Sequence, residues 1–267
     1  ETIIITLQTG TGYVLGSPVS VTLTIADDDF TTTNLGAIQG PGLNATPGNF
    51  GIDAIVTAVY SAWSPAGFYV QQSDATADSD PLTSNGIFVV STSTVAVGDR
   101  VKIFGAVQED NLPQSFRQAI ITPSILIILS SANPLPTLVN VNLPVTATAD
   151  ELEPFEGMLV QLPYTLTVTG NADLGTFGEV RLSRNGVVYQ PTQIVDPNDD
   201  PASGTNSSGS TNVAAVTAYN NQNLFRTILL DDGRNGIPLS LPYIDANNTL
   251  RIGSTITNLT GVLGFGF

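Results

Sequence analysis

The sequence contains no cysteine and no histidine, and only 12% of its 267 residues are charged. That charged fraction is about half of the usual share. Without cysteine there is no disulfide framework, no thiolate metal site and no cysteine nucleophile. Without histidine there is no imidazole general base and no imidazole metal ligand. Metal chemistry is therefore restricted to oxygen ligands, which suit Ca²⁺ or Mg²⁺.

Positive charge is also scarce. Eight Lys and Arg residues face 23 Asp and Glu residues, which gives a formal charge of −15, and the only lysine is Lys102. Proteins that bind duplex nucleic acid release counterions through clustered Lys and Arg. This composition therefore makes duplex DNA or RNA an improbable partner. Acidic chains of low charge, rich in Thr, Ser, Asn and Gly, are common among secreted bacterial proteins, so we expect an extracellular or cell-surface location.

Long apolar runs are missing as well. The longest, residues 125–129, is far below the ~18 residues that a membrane-spanning helix needs, so we expect no membrane span. The chain starts at Glu1 with neither an initiator methionine nor a signal peptide, and the sequence begins directly in a strand-like run. We interpret it as a piece of a longer precursor.

What is present is a β pattern along nearly the whole chain. Short segments rich in Val, Ile and Thr are bounded by Gly, Pro, Asn or Asp, and no window of 12 residues sustains an apolar period of 3.6. Short helices are expected only within residues 145–156 and 212–226. We predict an all-β fold with two OB-like barrel modules and an N-terminal β-hairpin. The predicted units are the hairpin 1–29, a first module 30–130, a Pro-rich extended connector 131–150 and a second module 151–267.

One sequence frame occurs in both modules. Residues 94–101 (TVAVGDRV) are followed by a Gly at 105, and residues 249–256 (TLRIGSTI) are followed by a Gly at 261. The first Gly of each frame suits a tight turn into a strand, and the later Gly suits a bend or bulge. That pattern is typical of small curled barrels such as the OB-fold and indicates an internal duplication.

Several blocks resemble a known family. Residues 95–109 (VAVGDRVKIFGAVQE), 152–163 (LEPFEGMLVQLP), 178–193 (GEVRLSRNGVVYQPTQ), 226–236 (RTILLDDGRNG) and 248–267 (NTLRIGSTITNLTGVLGFGF) resemble the OB-like region of large secreted bacterial nucleases. In those proteins this region precedes an endonuclease/exonuclease/phosphatase-type catalytic domain. Residues 1–29, which end in VTLTIADDD, resemble the final hairpin of a Calx-beta repeat. The two resemblances imply a multidomain extracellular parent.

The chain departs from that nuclease family at the catalytic domain. The family's catalytic residues are His, Asp, Asn and Glu around a divalent metal, whereas this chain stops before such a domain and has no His. We therefore expect the chain not to be an enzyme, and we assign no catalytic residue. Asp231, Asp232 and Gly233 follow an apolar strand and are predicted to form a turn.

Two acidic clusters are candidate Ca²⁺ sites. The Calx-beta resemblance implies that Asp27, Asp28 and Asp29 help to bind Ca²⁺, although an acidic hairpin end that prevents edge pairing explains the same residues. A second cluster has alternating carboxylates but lacks the Gly and Glu of an EF-hand loop, so solvation of a polar loop is the alternative. Its members are Asp74, Asp78 and Asp80.

Four arginines of the second module make up half of the basic residues of the chain. Together with nearby aromatic rings they could form a stacking platform for single-stranded nucleic acid, or they could pair with carboxylates of the barrel surface. These weak candidates are Arg181, Arg184, Arg226 and Arg234.

The N-terminal hairpin carries a regular apolar face. A hairpin is one sheet and cannot bury this face by itself, so either the first module or a neighbouring chain must cover it. We favour a neighbouring chain and predict self-association. The residues of the face are Ile3, Ile5, Leu7, Val19, Val21, Leu23 and Ile25.

Three functions remain open from the sequence. The favoured one is a non-catalytic β module of a secreted bacterial protein, which positions or presents a partner domain with Ca²⁺ as a possible cofactor. The first alternative is a subunit of an extracellular fibre, self-assembled by β-strand addition through the hairpin. The second is a nucleic-acid-binding accessory domain of an extracellular nuclease.

Overall fold

The structure is a computed structural model. It describes residues 2–24, 29–62, 64–110, 118–146, 148–195, 213–234, 236–238, 240–241, 243–244, 247 and 249–265. Strands account for 38% of the structure and helices for 14%, and one set of five strands closes into a barrel. The predicted all-β class with an OB-like barrel is therefore confirmed.

The N-terminal hairpin forms a sheet of its own. Its strands are β1 (Thr2–Thr6) and β2 (Ser20–Thr24), which pair only with each other within the described part of the chain. The antiparallel register places Ile3 opposite Leu23 and Ile5 opposite Val21, so apolar residues of both strands share one face.

The first barrel contains five strands. After helix α1 (Leu35–Gln39) the strands are β3 (Gly48–Tyr60), β4 (Gly67–Gln71), β5 (Gly86–Val90), β6 (Arg100–Glu109) and β7 (Ala119–Ser130). The closed order is β3-β4-β5-β7-β6, in which β5 and β7 are parallel and the other pairs are antiparallel. Alternating apolar residues fill the interior, and Ile52, Ile103 and Ile121 are completely buried there.

The second unit repeats this path over four strands. Its elements are β8 (Val139–Asn140), a 3-10 helix (Ala149–Phe155), β9 (Leu159–Gly170), α2 (Leu174–Phe177), β10 (Val180–Arg184), α3 (Pro191–Ile194), α4 (Val213–Phe225), β11 (Thr227–Leu230) and β12 (Thr255–Val262). The order β11-β10-β9-β12 reproduces β5-β4-β3-β6 of the first barrel, and the short β8 joins β9 in parallel. In the described part of this unit, no strand takes the place that β7 has in the first barrel.

The repeated sequence frame forms the same turn in both units. Gly98 and Gly253 have positive φ angles of 88° and 92°, a conformation that glycine adopts without steric cost. Gly98 N donates to Val56 O, and Gly253 N donates to Val168 O. The first turn therefore ties the start of β6 to β3, and the second ties the start of β12 to β9. The duplication seen in the sequence thus recurs in the hydrogen bonding.

Two details differ from the sequence-based expectation. The strand-like runs 158–162 and 165–170, which Pro163 separates in the sequence, predict two strands, but the structure has the single strand β9 there. Leu162 stands opposite Leu259 and Thr165 opposite Thr257, so Pro163 falls at an irregular step of the ladder where a missing N–H costs little. The helices expected within 145–156 and 212–226 are present as the 3-10 helix and α4, but the expectation that no other segment is helical is wrong, because α1, α2 and α3 also form.

The connector 131–150 also has a packing role. Val141, Leu143 and Val145 are buried in the core of the second unit, although the segment is extended, as its prolines suggest. Its second half therefore packs as part of the second unit. No helix in the described residues is long and apolar enough to cross a membrane.

Candidate functional site

The two units meet at a buried polar junction. Glu156, which is 2% exposed, accepts a hydrogen bond from Ala119 N of β7 at 2.6 Å through its carboxylate. Its backbone carbonyl accepts a hydrogen bond from the Ser84 hydroxyl. Leu159 N, at the start of β9, donates to Gln71 Oε1 of β4 at 2.8 Å. Side chains of each unit thus form hydrogen bonds with backbone groups of the other unit. Backbone groups that are shielded from water need such partners.

Aromatic packing surrounds this junction. The Tyr69 hydroxyl donates to Gln118 Oε1 at 2.6 Å, and the Tyr69 ring meets the rings of Tyr60 and Phe88 edge-on. Val262 of β12 packs against the same cluster. Burial raises the pKa of the Glu156 carboxyl well above its usual value, and the negative charge of Glu153 raises it further. The sequence did not single out Glu156, because a Glu between Phe and Gly carries no pattern that indicates burial.

The structure distributes the acidic loop residues over different partners. Asp74 accepts hydrogen bonds from the side chain and the backbone N of Thr137, and these bonds lower its pKa. Asp78 accepts hydrogen bonds from the side chains of Thr83 and Asn85, whereas Asp80 accepts one from Leu82 N. Among the described residues, no three acidic side chains are grouped in a way that could hold a metal ion. Ca²⁺ at this loop stays a prediction.

The other acidic cluster is described only in part. Asp27 and Asp28 lie outside the described residues, and Asp29 is exposed. The Ca²⁺ site implied at Asp27, Asp28 and Asp29 therefore stays a prediction too.

Two of the four arginines contact the chain itself. Arg184 donates to Leu143 O and lies over the Tyr164 ring at 4.0 Å from its centroid. Arg226 donates to the carbonyl oxygens of Arg184, Asn185 and Gly186, at 3.1–3.5 Å, and to that of Val187 at 3.3 Å. These contacts fix the turn after β10. Arg181 and Arg234 are exposed.

Carboxylates collect beside the end of β11. Gly233 N donates to Asp231 Oδ1 at 2.6 Å, which confirms the turn predicted after this strand. Burial raises the pKa of Asp231, and burial together with the charge of Asp231 raises the pKa of Glu179. Within the described residues, no imidazole or amine stands here as a partner base, so the cluster does not form a recognisable catalytic arrangement.

An apolar groove opens between β11 and β12. Its volume is about 410 Å³, and the first barrel borders it through Tyr60 and Tyr69. Val160 and Leu162 of β9 lie at its floor, and side chains of β11 and β12 form its walls. The wall residues include Ile228, Leu230, Leu259 and Val262. Sequence reasoning missed this groove, since it results from the place of four strands and not from any motif.

The apolar face of the hairpin is exposed in the part of the chain that the structure describes. Register and side-chain exposure show that Ile3, Ile5, Leu7, Val19, Val21 and Leu23 share this face, and each is between 43% and 58% exposed. Ile25 lies outside the described residues. Of the two predicted ways to cover the face, packing against the described residues of the first module is therefore not seen.

No family model matches the chain, and no curated protein and no solved structure is significantly similar to it. The molecule is therefore classified from its own structure: it is an all-β protein with a closed OB-like barrel, followed by a five-stranded sheet in which four strands repeat the barrel's strand order.

Proposed function

We propose that the chain is a non-catalytic β module of a secreted bacterial multidomain protein, in which two linked units position partner domains at a fixed distance. The observation that carries this proposal is the junction around Glu156. A flexible linker would leave the units free to reorient. Here the buried carboxylate and the Gln71 side chain each satisfy a backbone N–H of the other unit.

The resemblance to the OB-like region of secreted bacterial nucleases supports the same proposal. It supplies the extracellular setting and a non-catalytic role beside a catalytic neighbour. The Calx-beta resemblance adds Ca²⁺ at Asp27, Asp28 and Asp29 as a proposed ligand.

The spacing between the units provides the test. Because the chain has no cysteine, spin labels can be attached at Val97→Cys and Ile252→Cys, two exposed positions that precede the matching turn glycines. A positioning module should give one narrow distribution of label distances. Glu156→Ala in the doubly labelled chain should broaden it, whereas Glu151→Ala, on the exposed side of the same 3-10 helix, is the control. A broad distribution in the unaltered chain would contradict the proposal.

Absence of catalysis is a second test. The purified chain should not cleave DNA or RNA in the presence of Mg²⁺ or Ca²⁺, and it should not shift duplex DNA in a gel at micromolar concentration. Turnover that survives repurification and is lost in Asp231→Asn would contradict the non-catalytic role. Binding that falls steeply with salt would instead favour the nucleic-acid accessory function.

The exposed hairpin favours a second function. A protein that leaves six aliphatic side chains of one face in water has a surface suited to association. We therefore keep the fibre subunit, which assembles by β-strand addition through the hairpin, as the alternative proposal.

A further inference from the structure

The groove between β11 and β12 lies where the described part of the second unit has no counterpart of β7. In the first barrel, β7 runs between β6 and β5 and pairs with both. In the second unit β12 corresponds to β6 and β11 to β5. The two units share the strand order, and the same glycine turn precedes β6 and β12. In the described residues β12 pairs only with β9 and β11 only with β10.

The first barrel also indicates what fits there. The strand β7 turns alternate side chains into the core, and Ala119 and Ile121 are completely buried. The equivalent occupant of the groove must therefore be a β-strand with alternating apolar residues. The backbone of this strand would form hydrogen bonds with the unpaired edge of β12, and its apolar side chains would fill the groove.

The hairpin of this chain has those properties. Ile3 and Ile5 of β1, and Leu7 just after it, point to one side, and Val21 and Leu23 of β2 widen the same face. In the first barrel β7 pairs with β5 over only two residue pairs, so the barrel closes with only a short stretch of pairing to β5. The hairpin can therefore add to β12 as an intact pair of strands and extend its apolar face over the groove.

A chain's own hairpin starts far from its own groove. Phe30, which follows the hairpin, packs against Phe104 of the first barrel, near Gly51 of β3. The groove is bordered by Tyr60, at the other end of β3. Gly51 and Tyr60 are nine residues apart along β3, which corresponds to roughly 30 Å of strand. A hairpin from another copy has no such constraint.

We propose that the groove between β11 and β12 binds the β1–β2 hairpin of a second copy of this chain, with β1 paired to the free edge of β12. The inference rests on the alternative function, self-association through the hairpin, and names its receptor site. Donor and acceptor lie on different parts of the surface, so the contact is head to tail. Contacts of this type build rings or open filaments.

Disulfide trapping tests the contact directly in a cysteine-free chain. Ile5→Cys on a size-tagged copy and Leu259→Cys on an untagged copy are mixed and oxidised. We expect a covalent heterodimer with the intermediate mass. The control replaces Ile5→Cys by Thr22→Cys, which lies on the opposite face of the hairpin and should give at least tenfold less heterodimer. Equal yields for the two donors would overturn the proposed contact.

Light scattering separates this inference from the function on which it rests. The full chain should self-associate, and both the donor double variant Ile5→Lys/Val21→Lys and the acceptor variant Leu259→Glu should weaken association at least tenfold. Thr22→Lys should not, and circular dichroism checks that each variant is folded. Loss in the donor variant alone would refute the groove and keep self-association, whereas a monomeric full chain would refute both.

Discussion

The two units of the molecule follow the same strand path, yet among the described residues only the first unit closes into a barrel. In the first barrel the interior residues Ile52, Ile103 and Ile121 are completely shielded from water. In the second unit Leu259 and Val262 of β12 are only partly buried, and they line a groove of about 410 Å³. The two units thus differ by one strand: β7 closes the core of the first unit, and the core of the second unit is accessible at the corresponding place. The difference teaches that a duplicated sheet can serve as a scaffold in one copy and as a surface in the other.

The largest expected effect contrasts the two cores. Ile103→Ala should lower the free energy of unfolding by about 2–5 kcal/mol, because the surrounding barrel cannot collapse around the missing atoms. Leu259→Ala, on the corresponding strand of the second unit, should cost about 1 kcal/mol, since its site is already open to water. Urea denaturation followed by circular dichroism measures both values. Equal costs would show that the second core is as complete as the first.

The next effect concerns the junction between the units. Glu156→Ala should cost about 1–3 kcal/mol, because it leaves the buried Ala119 N–H without an acceptor. Glu156→Gln keeps an acceptor oxygen and should cost less. If the closed and open units depend on each other, the Ala variant should also split the unfolding transition into two steps. A single transition of unchanged midpoint would contradict the role of Glu156.

The same residue predicts a pH dependence. Burial raises the pKa of Glu156 in the folded state, so the folded chain binds a proton that the unfolded chain has already released. The resulting stability is fully present below the unfolded pKa and is lost as the pH rises through the folded pKa. Denaturation at pH values from 4 upward should show this decline, and Glu156→Gln should flatten it. A decline of the same slope in Glu156→Gln would assign it to other groups.

A smaller effect tests the equivalence of the two turns. Gly253→Ala should cost about 1–2 kcal/mol because its φ is positive, although a Cβ there meets open space. Gly98→Ala should cost more, because its Cβ would also lie 3.1 Å from Asn133 O. Thermal denaturation of the two variants gives the comparison. A neutral Gly253→Ala would indicate that the second turn relaxes in a way that the first cannot.

The smallest effect concerns a surface pair that only the first barrel has. Arg100 donates to both carboxylate oxygens of Asp53, at 2.7–2.8 Å, whereas the strands of the second unit carry Thr255 and Thr165 at the corresponding places. Arg100→Thr should cost about 0.2–1 kcal/mol at low salt and less at high salt. A loss that does not change with salt would mean that packing, and not charge, holds the pair.

The sequence predicts the strands well and the site poorly, for physical reasons. Alternation and turn residues are local signals, and they predict strands at residues 86–90, 227–230 and 255–263. The structure has β5 and β11 at the first two ranges, and β12 is one residue shorter than the third. The repeated Gly98 and Gly253 frames also revealed the duplication. The groove and the junction depend on contacts between distant segments, such as Glu156 with Ala119. No local pattern around Glu156 indicates that it is buried. Pro163 predicts a strand boundary, although β9 continues through it.

The seam of the first barrel has a further consequence. The strand β7 is paired with β6 over ten residues but with β5 over only two, Phe88 with Ile120 and Val89 with Ile121. Thermal fluctuation should therefore part β7 from β5 long before it parts β7 from β6. In such excursions the closed barrel briefly exposes a cleft like the permanent one in its neighbour. The amide protons of β5 that point towards β7, and not those bonded to β4, should accordingly exchange with deuterium sooner than those in the middle of β6.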